Sequence, residues 1–373
     1  MKLAVVGRGM IGSAATRHLA EAGFDVTLFG RGEPADYSSH KGVFSSHYDE
    51  SRITRGLDPD PFWSNASTAS IARYRPLETQ TGIKFFREVG VLMTGPNDTS
   101  PINDVLSVAQ DAGIACDVLG DETLAERFPY FAFETGSMGV FERANAGYIN
   151  PRAMVQAQLL AAKMAGAKFV DTDVDALDEI AAGIAVRTKD DSFQFDRVLV
   201  ATGGFTNLLL ANEVPLTIYA RTVAMFQIGD AEQARLLGMP SHIALQRDGR
   251  DPYLLPPMKY PDGKTHLKLG GDPVDVILAN SQDTKDWFRS GGSEAVGDFL
   301  EASIRAKIPD LAIEVRNIRP CVTCFTDDEL PVIKCLTSRI SVAVGGNGKG
   351  AKNSDELGWL GAETLTGQLL PST

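Results

Sequence analysis

A chain of 373 residues with 43% hydrophobic and 23% charged side chains holds enough apolar material for one large or two intertwined domains and lacks the composition of a disordered protein. Its formal net charge of -12 repels polyanions, and no Lys/Arg stripe interleaved with aromatics overrides that locally, so no nucleic-acid partner is expected. The start MKLAVVGRGMIG runs from one basic residue into a glycine-rich turn, no apolar run approaches the roughly 18 residues of a membrane span, and four cysteines (Cys116, Cys321, Cys324, Cys335) are too few and too scattered for a disulfide framework; together these predict a cytoplasmic protein with no membrane partner.

Lys2 to Val6 form an apolar run, Gly7-Arg8-Gly9-Met10-Ile11-Gly12 follows, SAATRHLAEAG reads as a helix ending at Gly23, and DVTLFG reads as a second strand. This β-α-β context turns a GxGxxG string into a dinucleotide fingerprint. Gly7 permits the tight turn, Gly9 lets backbone approach a pyrophosphate, and Gly12 lets helix and strand pack closely while the helix N-terminus faces the anion. The acid that usually ends the second strand and binds ribose is replaced by Gly30 and then Arg31, with Glu33 the next acid able to substitute. Gly-Arg also suits the 2′-phosphate of NADP, so this motif alone leaves FAD and NADP open.

Beyond residue 80 the β-α alternation weakens. FFREVGVLMTG reads as strand, a helix is expected after Ser100, and AGYINPRAMVQAQLLAAKMAGAKFV reads as a turn, a helix from about Pro151 and a strand. Phe195 to Val200 is a strand running into Ala201-Thr202-Gly203-Gly204. ISVAV ends in Gly345-Gly346-Asn347-Gly348-Lys349-Gly350, ahead of a helix over NSDELGWLGAETLTGQLL. Both glycine clusters let backbone press against a cofactor.

These strand ends, in order with Ser46 to Arg55, LAERFPYF, AGYINPRAM, VLVATGGFTNLLL, HLKLGG, RPCVTCFTDDELPVI and GGNGKGAK, closely resemble the D-amino-acid-oxidase-like flavoproteins, nearest to the branch of monomeric sarcosine oxidase and N-methyltryptophan oxidase. The resemblance covers nearly the whole chain. It implies an α/β (overall α+β) fold: a Rossmann-like FAD-binding domain from residues 1–80, 145–220 and 312–373, and a substrate domain on a mixed, mainly antiparallel sheet from residues 81–144 and 221–311. It also implies FAD held by Gly7, Gly9, Met10, Ile11, Gly12, Arg31, Ser46, Arg52, Thr202, Gly203, Gly204, Cys321, Gly346, Asn347, Gly348, Gly350 and Lys352.

The same resemblance assigns roles. Cys321 occupies the position of the cysteine linked through sulfur to the flavin 8-methyl; the residues alone leave open a buried structural cysteine or a CxxC pair with Cys324. Arg52 lies against the flavin ring, and Arg52 and Lys352 are placed around one substrate carboxylate. Tyr253 closes over the substrate, and Lys268, on a strand whose alternation reads as half-buried, helps reduced flavin pass an electron to O2. The residues before Ser51-Arg52 and the lysine at 349 depart from the sarcosine oxidase pattern, so the pocket is not expected to be a sarcosine pocket, and Lys349 is either a charge for a second acidic group on the substrate or a solvent-facing lysine. His47, His242 and His266 have neither metal nor triad spacing. The expected reaction is oxidation of a small amine or amino acid bearing a carboxylate, with O2 reduced to H2O2; the alternatives are a flavin dehydrogenase with another acceptor, an NADP-dependent dehydrogenase, or a flavin-carrying subunit of a larger complex.

Overall fold

A computed structural model describes residues 1–211 and 213–370. Asn212 and residues 371–373, which fall in the segments expected to bind FAD, lie outside the described residues. A six-stranded sheet is built on the first strand, Lys2–Val6, flanked in parallel by Asp25–Phe29 and Arg197–Val200, with Lys168–Val170, Ile340–Val344 and Val332–Cys335 outward. Its central strands are apolar on both faces because both are covered. Leu3 and Val5 pack with Ala15 and Leu19 of the helix Met10–Glu21, while Ala4 and Val6 pack with Ile184, Val186 and Phe195 of a small antiparallel sheet. The last helix, Gly350–Thr366, crosses the first at Gly358, where a Cβ would lie 2.6 Å from that of Ala14, so only glycine permits the approach.

The strand expected over FFREVGVLMTG is two strands, Phe86–Arg87 and Val91–Pro96, in different sheets. The helices expected after Ser100 and from Pro151 are Ser100–Asp111 and Pro151–Met164. A nine-stranded, mainly antiparallel sheet forms the second layer, with Ser241–Ala244 parallel to Val91–Pro96. Val315–Phe325 pairs along its length with Thr217–Gln227 in this sheet, so the antiparallel sheet continues past residue 312 to Phe325. Thr265–Gly270 is buried at all six positions, not half-buried as its alternation reads, because helix Glu294–Lys307 covers the leucine face and Arg52–Thr54 with the residues before it covers the other. No helix among the described residues is long and apolar enough to cross a membrane.

Candidate active site

A cavity of about 850 Å³ runs between the two main sheets, from the first glycine turn to the loop before the last helix. Gly7, Gly9, Met10 and Ile11 line one end of it, Thr202, Gly203 and Gly204 line its flank, and Gly346, Asn347, Gly348, Gly350 and Lys352 line the far wall. Gly7, at φ +117, carries no side chain because a Cβ would lie 2.3 Å from the Ala201 carbonyl oxygen, and a Cβ on Gly12 would lie 1.9 Å from that of Gly7. Gly12 is therefore a packing glycine and does not border the cavity. Since Gly9 puts no side chain at the start of helix Met10–Glu21, the free N–H groups of its first turn face the cavity as an anion site. These cradles, which side chains would fill, suit the pyrophosphate and ring of FAD.

Asn347 is a loop staple whose side chain is committed within the protein. At φ +47 it donates from Nδ2 to the Gly345 carbonyl (2.8 Å) and accepts at Oδ1 from the Thr326 N–H (2.9 Å). Contact with a cofactor here falls to the backbone of its glycine neighbours.

Cys321 and Arg52 meet at the middle of the cavity, where Arg52 Nη2 lies 3.5 Å from Cys321 Sγ and 3.2 Å from the Ser46 carbonyl. All four cysteines are free, so Cys321 and Cys324 form no disulfide, and burial pushes the Cys324 thiol up to about 12, leaving it a poor nucleophile. Behind Arg52 the Asp49 carboxylate contacts both its guanidinium and the Lys268 ammonium, which also donates to the Ser51 carbonyl at 2.6 Å. Lys268 is fully buried and does not line the cavity; it lies one layer back, 5.9 Å from the ring of Tyr253, which does. Complete burial and the Arg52 charge hold its pKa well below that of an ordinary lysine, with Cys321 opposing the shift. Tyr253 spans Gly270, whose missing Cβ would overlap its ring.

Arg52 and Lys352 do not converge on one point, because each is held by a different carboxylate. Lys352, buried in the first turn of the last helix, donates to Asp58 Oδ2 at 3.0 Å and to Ser67 Oγ at 2.6 Å. Lys349 donates to Asp58 Oδ1 at 2.8 Å, and Arg55 Nη2 lies 3.7 Å from Oδ2. Burial alone would raise the Asp58 pKa, but Lys352, Arg55 and Lys349 hold it well below the usual carboxylate range. Burial pushes Lys352 down to about 7, with Asp58 opposing and Arg55 and Lys349 adding to the fall. Sequence reasoning missed Arg55, whose Nε is buried without a hydrogen-bond partner among the described residues and which lines the cavity beside Met93, Ile243 and Leu245. It sits three residues after Arg52, directly after the short strand Arg52–Thr54, a spacing that was available as a signal.

Among curated proteins, N-methyl-L-tryptophan oxidase of Yersinia pestis (strain Pestoides F) is 25% identical over 368 residues, covering 96% of this chain and 93% of the relative. Among solved structures, NikD, described as an unusual amino acid oxidase, matches with TM-score 0.77 at 18% identity, covering 98% of this chain and 93% of its own. Amadoriase I, the fructosyl amine:oxygen oxidoreductase of Aspergillus fumigatus, matches with TM-score 0.75 at 19% identity over 100% of this chain and 88% of its own. At such identities the structural matches speak to fold alone. The family match also decides between the dinucleotides that Gly30-Arg31 left open: residues 2–364 match the FAD-dependent oxidoreductase (DAO) family, and the chain belongs to it as an FAD-dependent oxidoreductase.

Proposed function

We propose that the protein is an oxidase of a small N-substituted amino acid, acting on the C–N bond next to the carboxylate. The observation that carries this reading is the wall formed by Arg55, Lys349 and Lys352: three basic side chains gather on one buried carboxylate, Asp58, with Glu142 and Asp251 further off, and Arg55 Nε is left without a partner among the described residues for an anionic ligand to take. FAD, when bound, would supply the hydride acceptor, with O2 taking the electrons to give H2O2. The chain's own residues bind and orient. Arg55, with its free Nε, and Lys352 hold the substrate carboxylate; Met93, Ile243 and Leu245 give an apolar floor for the N-substituent; Tyr253 shields the site from water. The name of the curated relative, an oxidase of an N-methyl amino acid, supports the same substrate class. Free cysteines fit a cytoplasmic setting.

A flavin dehydrogenase using another electron acceptor is the second reading, favoured by the withdrawal of Lys268 from the cavity onto Asp49. Peroxide release from a panel of N-methyl, cyclic, D- and L-amino acids tests both readings. Turnover with peroxide supports the oxidase; turnover with a dye but without peroxide selects the dehydrogenase; no turnover of any carboxylate-bearing amine overturns the proposed substrate class.

A further inference from the structure

The cavity's adenosine end lacks its usual acid, and the structure shows why neither the second strand nor Glu33 provides one. Gly30 ends that strand at φ +154, where an added Cβ would lie 2.7 Å from both the Cβ and the backbone nitrogen of Arg8, so no side chain fits. Glu33 is taken: Arg152 donates to its two oxygens from Nε (2.6 Å) and Nη2 (2.7 Å), Tyr37 donates a third bond (2.6 Å), and Glu33 does not line the cavity.

A carboxylate reaches the same sheet edge from a different strand. Lys168–Val170 pairs in parallel with Asp25–Phe29, placing Val170 opposite Phe29, and the Gly30 N–H donates to the Val170 carbonyl at 3.2 Å. The chain then turns through Thr172, Asp173 and Val174, all of which line the cavity. Arg31 donates to Asp173 Oδ2 from Nε at 3.2 Å and fixes the carboxylate's orientation. Asp173 Oδ1 is buried with no hydrogen-bond partner among the described residues. Asp173 keeps 29% of its side chain exposed where it lines the cavity, and a carboxylate has about four lone-pair sites, so the single bond from Arg31 leaves it free to accept donors from a ligand.

We propose that Asp173 accepts the hydroxyls of the adenosine ribose of FAD, a role transferred from the end of the second strand to the loop after the neighbouring parallel strand. The glycine turn fixes the pyrophosphate at the N-terminus of helix Met10–Glu21, so the C-terminal edge of the adjacent strands is where the ribose diol falls. A carboxylate there accepts O–H donors and repels a phosphate, which selects an unphosphorylated ribose even though Arg8 and Arg31 stand close by.

The test measures FAD affinity by quenching of flavin fluorescence on the full chain carrying Cys321→Ser, so that the cofactor stays exchangeable. The probes are FAD and an analogue lacking both hydroxyls of the adenosine ribose. Asp173→Asn is expected to weaken FAD about tenfold or more, with parent and variant binding the analogue equally and the parent preferring FAD by the same factor. Glu33→Gln leaves that preference unchanged. Unaltered FAD affinity in Asp173→Asn, or equal weakening of FAD and analogue, overturns the assignment. Should Asp173→Asn fail to fold, the parent decides alone: indifference to the missing hydroxyls overturns it.

Discussion

Asp58 spends its two carboxylate oxygens on two lysines one helical turn apart, Oδ1 on Lys349 at 2.8 Å and Oδ2 on Lys352 at 3.0 Å. Removing this charge while keeping the shape leaves Lys349, Lys352 and Arg55 without their shared counter-ion. Asp58→Asn should cost about 3–5 kcal/mol of stability, as expected when a buried ion pair loses one partner. Because the folded-state pKa of Asp58 is depressed, its contribution is complete above the unfolded value of about 4 and is lost as pH falls through the folded value. Thermal melts from pH 7 downward should therefore show parent and variant converging at low pH; parallel curves would contradict the role given to Asp58.

The role proposed for Lys352 makes carboxylate binding depend on its proton. Its pKa in the ligand-free protein is pushed down to about 7, so raising the pH through that value neutralises the ammonium and affinity for a small non-oxidisable carboxylate such as acetate should fall. Perturbation of the flavin absorbance reports the binding. Lys352→Met should remove this pH dependence and weaken binding by about 1.5–3 kcal/mol, with flavin retained. Arg55→Met should weaken binding by a similar amount with the pH dependence intact. A Lys352→Met protein that binds acetate like the parent would refute the assignment.

Cys321 lines the cavity, with the Arg52 guanidinium 3.5 Å from its Sγ, and this position fits the covalent link to flavin that the resemblance implies. Acid precipitation should leave yellow flavin in the protein pellet, and Cys321→Ser should release it to the supernatant. Free FAD from the parent would refute the covalent link without touching the family assignment.

Lys268 stands behind the cavity wall. Its ammonium, shared with Asp49, stands one layer from the site, so any help to O2 reduction is exerted through the field in a poorly hydrated interior. Lys268→Met should slow reoxidation by O2 by about one to three orders of magnitude and leave anaerobic reduction by substrate far less affected, as stopped-flow resolves the two half-reactions. Equal slowing of both half-reactions, or of neither, would argue for the dehydrogenase reading.

Much of this protein was legible in the sequence because it is written in local patterns. The β-α-β start, the glycines at 7, 9 and 12, and the helices from Ser100 and Pro151 follow from periodicity, caps and turn residues that act over a few positions. The glycine segments that line the cavity were legible for the same reason, since backbone approach requires glycine where it occurs. What only the tertiary structure decided is which distant groups neutralise which. Asp58 belongs to Lys349 and Lys352, nearly three hundred positions away, Asp49 belongs to Lys268, and Asp173 stands where Gly30 cannot. An Asp or Lys reads the same in sequence whether solvated or buried; burial makes its partner compulsory, and the partner is chosen by how strands and helices pack. For that reason the strand carrying Lys268 looked half-buried, and Arg52 and Lys352 looked like one clamp. The fold separates them onto two carboxylates and sets Arg55, rather than Arg52, beside Lys352.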